Sequence, residues 1–250
     1  MQQFFIGLHH PSTAWPFLHS MISLNNLRDR KRAFNVNCWV LDSGGYTELS
    51  AYGKWRMEPQ QYADQINQLK QNGILLAAVS QDFMCTPQIL AKTGFNIHDH
   101  QTMTIERYVE LLPLTDVFVM PVIQGDTPGS YAAHVQQYGY LLPPGAWVGV
   151  GSICHKSGNP SHIEDILIAI YSERPDLRLH GFGLKLNCLR RGTIRQLLKS
   201  SDSAAWSYAA RKIGDGSEHD PRRALAYAAK IEPLIDTPAF VQQQLFRWWA

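Results

Sequence analysis

Six places in the sequence set a polar, charged or small residue just after a short apolar run: Asp42 after 38–41, Asp82 after 74–79, Gln124 after 117–123, Gly151 after 147–150, Lys185 after 177–184, and Asp202 after a run near 197–201. Three carboxylates and a carboxamide brought to one place can share the duties of nucleophile, general acid, general base and hydrogen-bonding edge. Any one of them can also be an ordinary helix N-cap, and for Asp202 taken alone the cap of a helix beginning near Ala204 is the lesser alternative. The sharpest pattern is Asp42-Ser43-Gly44-Gly45-Tyr46. It places an acid at a strand end, then two glycines that let the backbone approach a flat ligand, then an aromatic ring able to stack on it.

These positions need a scaffold that delivers strand ends to a common rim. The apolar runs at 4–8, 38–41, 74–79, 117–123, 147–150 and 177–184 alternate with helix-compatible stretches at 59–71, 103–112, 130–140 and 161–171. Pro59 and Ser161 stand at helix starts. Strands alternating with helices imply a parallel sheet covered by helices. No G-x-G-x-x-G follows the first strand, which favours an α/β fold of the (β/α)8 TIM-like barrel class over a dinucleotide-binding sheet. Six strands and a seventh near 197–201 are legible and an eighth is not, so the barrel is expected to be shortened or irregular. In such a barrel the chemistry collects at the C-terminal ends of the strands.

Composition sets outer limits. The chain has 250 residues, 45% hydrophobic and 18% charged, with 18 Gly and 14 Pro spread along it, which suits one globular catalytic domain over 1–250 rather than a disordered or linker-rich protein. No apolar stretch approaches the roughly 18 residues that cross a bilayer. The first ten residues lack the basic start and long apolar run of a signal peptide. Cys38, Cys85, Cys154 and Cys188 form no C-x-x-C pair and are read as reduced thiols of a cytoplasmic protein. Net charge is only +2, so the average neither requires nor excludes a polyanionic partner.

Read in order, Asp42-Ser43-Gly44-Gly45-Tyr46, Gln81-Asp82, Ile123-Gln124-Gly125, Val148-Gly149-Val150-Gly151-Ser152, His180-Gly181-Phe182-Gly183 and Ser201-Asp202-Ser203 resemble the queuine/archaeosine tRNA-guanine transglycosylase superfamily. The resemblance covers roughly residues 38–206, most of the chain. It implies that Asp202 is the nucleophile and that Asp42 acts as general acid and base at the departing and incoming bases. Tyr46 and Phe182 would stack on the two faces of the base, Asp82 and Gln124 would bond its polar edge, and Gly149 and Gly151 would offer backbone groups to a 7-substituent. Exchanging a purine on an intact strand requires a carboxylate that attacks C1′ and holds a covalent glycosyl-enzyme while one base leaves and another enters.

The sequence departs from the tRNA enzymes of that superfamily in several ways. It has no C-x-C-x-x-C zinc run, and no cysteine after Asp202; Thr47 stands where those enzymes have Gln; and Asp82 continues into Phe83-Met84-Cys85. No zinc or other cofactor is therefore expected. The pattern is closer to the compact branch that inserts 7-deazaguanines such as preQ0 into DNA. The expected partners are DNA, a free 7-deazaguanine base and other proteins of a DNA-modification system, with no separate nucleic-acid-binding domain and no membrane. The same residues leave open a tRNA-guanine transglycosylase, a ribosyl hydrolase acting on a free deazapurine nucleoside through Asp42 and Lys185, and a non-catalytic nucleic-acid-binding subunit.

Charge distribution bears on the partner. Residues 178–223 hold ten Lys/Arg against four acids, and 28–32 adds a second basic run. Lys185, Arg190, Arg191, Arg195 and Arg211 are the candidate phosphate contacts, with both clusters expected to flank the rim. Three further features are weaker. His98-Asp99-His100 is read as polar loop residues rather than a metal site, His9-His10 as rim residues, and the terminal Phe246-Arg247-Trp248-Trp249 as either a cap on the barrel or a partner surface.

Overall fold

A computed structural model describes residues 1–235 apart from Asp29 and 215–219. Nine parallel strands run through it: β1 (Gln3–Leu8), β2 (His19–Ser23), β3 (Cys38–Asp42), β4 (Ile74–Val79), β5 (Val119–Met120), β6 (Val122–Ile123), β7 (Trp147–Val150), β8 (Arg178–Gly181) and β9 (Leu198–Ser203). Each pairs with its neighbour in the chain, and β9 returns to pair with β1 through Phe5↔Asp202. The one break in the ladder lies between β5 and β6, which are separated only by Pro121. The chain crosses it as one extended segment. Phe118 and Met120 carbonyls accept from Ala78 and Ser80 on one side, while Pro121 and Ile123 carbonyls accept from Gly149 and Gly151 on the other. Proline has no N–H to give to a ladder, which divides one stave into two short strands. Counted as staves, the ring is eight, a TIM-like barrel.

The expected shortening is thus corrected by β2. Its sequence, His19-Ser20-Met21-Ile22-Ser23, carries only two large aliphatic side chains and follows a proline-rich loop with Pro11 and Pro16. The expected strand at 177–184 is shorter than the apolar pattern suggested. β8 ends at Gly181, and the chain turns through Gly183 with φ +62°.

Ten helices are described: α1 (Gly45–Tyr52), α2 (Pro59–Leu69), α3 (Pro87–Thr93), α4 (Ile97–Leu111), α5 (Pro128–Tyr138), α6 (Pro160–Glu173), α7 (Leu186–Leu189), α8 (Gly192–Leu197), α9 (Ala205–Ile213) and α10 (Pro221–Ile231). Capping boxes start α2 (Glu58, Gln61), α4 (Asn96, Asp99) and α5 (Thr127, Ser130), and prolines open α2, α3, α5, α6 and α10. This corrects the loop reading of His98-Asp99-His100. Asn96 caps α4 and Asp99, in its first turn, accepts from the Asn96 N–H, while His100 is buried between Thr93 Oγ1 and the Met84 carbonyl, each 2.8 Å from a ring nitrogen. Among the described residues no three of His, Cys, Asp and Glu gather as a metal cluster, and no helix is long and apolar enough to cross a membrane.

Two apolar layers hold the ring. The larger lies between strands and helices and includes Trp39, Tyr62, Ile66, Tyr131, Ile166 and Leu189. The smaller fills the barrel itself with Phe5, Met21, Val40, Ala77, Val79, Met120 and Val122. Alternation along each strand sends every second side chain inward. One layer above this plug, the inward positions become Ser23, Asp42, Gln124, Gly151, Phe182 and Asp202.

Candidate active site

The rim begins at the end of β3, where Asp42 sits beside its register partner Ser23 on β2. Its Oδ2 accepts from the Gly44 N–H at 3.2 Å. Gly44 has φ +82°, and a Cβ there would stand 2.5 Å from the Asn25 amide, so the tight turn admits only glycine. That turn launches α1 and leaves Tyr46 exposed in its first turn, its ring 5.3 Å from the ring of His155. The Asp42 carboxyl lies deep in the mouth. Loss of hydration raises its pKa, and the charge of Asp202 raises it further against hydrogen bonds from Ser23 and Gly44.

Asp82 follows β4 on a buried loop, with its carbonyl held by Trp55 Nε1 at 3.3 Å. Its Oδ2 accepts from Gln124 Nε2. The orientation of that amide is set from behind. The Cys85 N–H donates to Ser152 Oγ at 3.0 Å, and Ser152 donates to Gln124 Oε1 at 2.6 Å, which leaves the amide nitrogen to face Asp82. Ser152 is the one non-glycine residue with positive φ among those described, at 61°, a strained conformation tolerated where the hydroxyl must reach both partners. A Cβ on Gly151 would stand 2.1 Å from the Gln124 amide. Burial, followed by the charge of Asp42, pushes the Asp82 carboxyl up to about 7, opposed by the bond from Gln124. At neutral pH it can both hold and release a proton.

Asp202 sits on β9 beside β8. Its Oδ1 accepts from the Gly183 N–H at 2.8 Å and lies 3.3 Å from His180 Nε2. Phe182, half-buried, lies against the ring of His180 at 4.8 Å and fills the space over Gly149, where a Cβ would meet the ring at 2.3 Å. The structure therefore brings together Asp42, Asp82, Gln124 and Asp202, with Gly149, Gly151 and Phe182 on the same interior wall and Tyr46 on the outer lip. Cys85 and Cys154 near this site are pushed up to about 12 by burial, so neither supplies a thiolate nucleophile at neutral pH.

Gln124 is fully buried and bonded on both sides, so it positions Asp82 in addition to any contact with a base. Ser23, Ser152 and His180 escaped the sequence reading as site residues. The signal for the last two was present, since both stand inside motifs at strand ends, and His180 shares the inward parity of Phe182.

The basic residues are less uniform than their clustering suggests. Lys185 is exposed just beyond β8, its ammonium 5.7 Å from the Tyr208 ring centre, and Arg190 and Arg211 are exposed on the helical layer. Arg191 pairs with Glu164 at 2.6 Å. Arg195 requires correction: it lies in the last turn of α8, just before β9 begins, at the end of the barrel opposite Asp202. Its guanidinium donates to the Leu189 carbonyl at 2.7 Å, and its own carbonyl accepts from the amino group of Met1 at 2.5 Å. Arg178, which opens β8, and Lys199, bonded to Gln2, also lie at that opposite end. Arg28 is not part of a solvated basic run either, because its Nη2 sits 2.8 Å from the buried Glu48. His9 stands at the rim as expected, its Nε2 2.8 Å from Ser207 Oγ. Phe246-Arg247-Trp248-Trp249 lies outside the described residues.

No curated protein matches the chain. A family model does, described as DpdA, deoxypurine in DNA protein A, over residues 1–244. With nearly the whole barrel and every rim residue inside the match, the chain belongs to the DpdA family.

Proposed function

We propose that this protein is a DNA-guanine transglycosylase that replaces guanine in DNA by a 7-deazaguanine such as preQ0. The observation that carries the reading is the meeting of Asp42, Asp82 and Asp202 at one barrel mouth, in a family whose description names deoxypurine in DNA. Two of these carboxyls hold protons more readily than ordinary ones, and the third is aimed by N–H donors on one oxygen. That is the division needed for base exchange through a covalent intermediate.

In this mechanism Asp202 Oδ2 attacks C1′ while Asp42 gives a proton to the departing guanine. The glycosyl-enzyme persists while bases exchange between Tyr46 and Phe182, and the incoming base surrenders its proton to Asp42. Asp82 and Gln124 read the polar edge of both bases, and the segment from Gly149 to Gly151 offers backbone groups to a 7-substituent. Lys185, Arg190 and Arg211 would supply phosphate contacts, and a base in a duplex would be flipped out to reach the mouth at a cost of a few kcal/mol.

The test is incorporation of labelled guanine or preQ0 into plasmid DNA or tRNA. Label in DNA, lost on Asp202→Asn, is the expected result. Label in tRNA alone would transfer the activity to RNA, and label in neither polymer would remove the transglycosylase reading.

A further inference from the structure

Beneath the three acids, a hydrogen-bond chain runs across β7, β8 and β9 to the carboxylate of Asp202. His180 is completely buried among the rings of Phe5, Trp147 and Phe182. Its Nδ1 lies 2.9 Å from Ser200 Oγ, and that oxygen lies 2.9 Å from Trp147 Nε1. An indole N–H can only donate, so Ser200 accepts from Trp147. Among the described residues the Ser200 hydroxyl has one other partner, His180 Nδ1, and its own proton goes there. The ring proton must then sit on Nε2, facing Asp202 Oδ1.

We propose that His180 is a positioning residue that speeds release of the sugar from Asp202, an inference that rests on the nucleophile assignment made under Proposed function. His180 and the Gly183 N–H both address Oδ1, which leaves Oδ2 to form the bond to C1′. In the release step N9 of the incoming base bonds to C1′, the C1′–Oδ2 bond breaks, its electron pair returns to the carboxylate, and the N9 proton passes to Asp42. Negative charge reappears on Asp202 in that step and is shared with Oδ1, where both donors wait. During attack the same charge is being lost. Fixed donors at that oxygen therefore favour release over attack.

The experiment uses the full chain and a guanine-containing oligonucleotide, with adduct quantified after denaturation and release followed on adding excess preQ0. His180→Leu is expected to slow release about tenfold and to accumulate adduct, with adduct formation changed much less. His180→Gln, whose amide nitrogen reaches toward the Nε2 position, should restore most of the release rate. Ser200→Ala, which removes the lock on the ring proton but keeps the ring, should fall between wild type and His180→Leu. Equal slowing of formation and release in His180→Leu would overturn the proposal, as would a glutamine variant no better than leucine. Should His180→Leu fail to fold, an unchanged release rate in Ser200→Ala overturns it. Wild-type protein that traps DNA while His180→Leu releases it normally sinks this inference alone, whereas wild type that neither traps nor exchanges removes the transglycosylase reading as well.

Discussion

Glu48 and Asp82 are both buried carboxylates on segments that leave neighbouring strands, yet they are set in opposite ways. Glu48 is clamped by two guanidiniums, Arg56 at 2.9 Å and Arg28 at 2.8 Å, and these hold it down at about 2 against the effect of burial. Asp82 has no cation beside it among the described residues; its company is Gln124 and the repelling Asp42, and it rises to about 7. The first is a charge fully answered, and it fixes α1, the helix that presents Tyr46. The second is a charge left unanswered, which suits the hydrogen-bond exchange with a base proposed for it. Burial alone distinguishes neither. The difference lies in whether the fold supplies a counter-charge.

Neutralising each carboxylate in turn would break this contrast most sharply. Asp82→Asn should lower base exchange about a thousandfold with little loss of stability, read by incorporation assay and denaturant titration. Glu48→Gln should do the reverse. It strands two guanidiniums and should cost about 2–3 kcal/mol in a urea melt, the lower end for a broken buried pair because both arginines reach solvent. Comparable activity losses in the two variants would erase the distinction.

A smaller effect appears in the pH dependence of stability. In the unfolded chain Asp82 releases its proton near 3.8, whereas in the folded chain it does so near 7. Its contribution is therefore fully present below pH 3.8 and is lost as pH rises toward 7, by at most about 4 kcal/mol. Glu48 behaves oppositely, since its folded pKa is depressed from 4.5 to about 2. Its contribution is present above pH 4.5 and is lost as pH falls toward 2. Melts across pH 4 to 7 should show Asp82→Asn gaining on wild type as pH rises, and a constant difference would refute the assignment. The smallest effect belongs to the surface. Lys185→Ala should reduce the salt dependence of DNA affinity by about one unit of slope, while Arg195→Ala, at the far end of the barrel, should leave that slope unchanged.

How far such features could be foreseen depended on whether their partners were local. β1, β3, β4 and β7 were legible because each is an apolar run ended by polar or small residues, and the acids at the rim follow from those endings. β2 was not, since half its side chains are polar and its pairing, not its composition, makes it a strand. Arg28 read as a surface charge because its partner Glu48 is twenty residues away across a turn. Arg195 fell within a basic cluster that is continuous in sequence, but the chain crosses from one end of the barrel to the other between Lys185 and β9. Helix α4 begins earlier than the apolar pattern suggested because its first turn, with His98 and the capping-box partner Asp99, is polar.

Pro121 gives the ring a consequence for how the site is assembled. The stave it interrupts joins two arcs, β1 to β5 and β6 to β9, which meet again only where β9 lies against β1. Asp42 and Asp82 ride on the first arc, Gln124 and Asp202 on the second. Each functional pairing, Asp82 with Gln124 and Asp42 with Asp202, spans a junction between arcs. The acidity of Asp82 is thus a gauge of ring closure. If the arcs part at either junction, water reaches the mouth and the carboxyl returns toward an ordinary value.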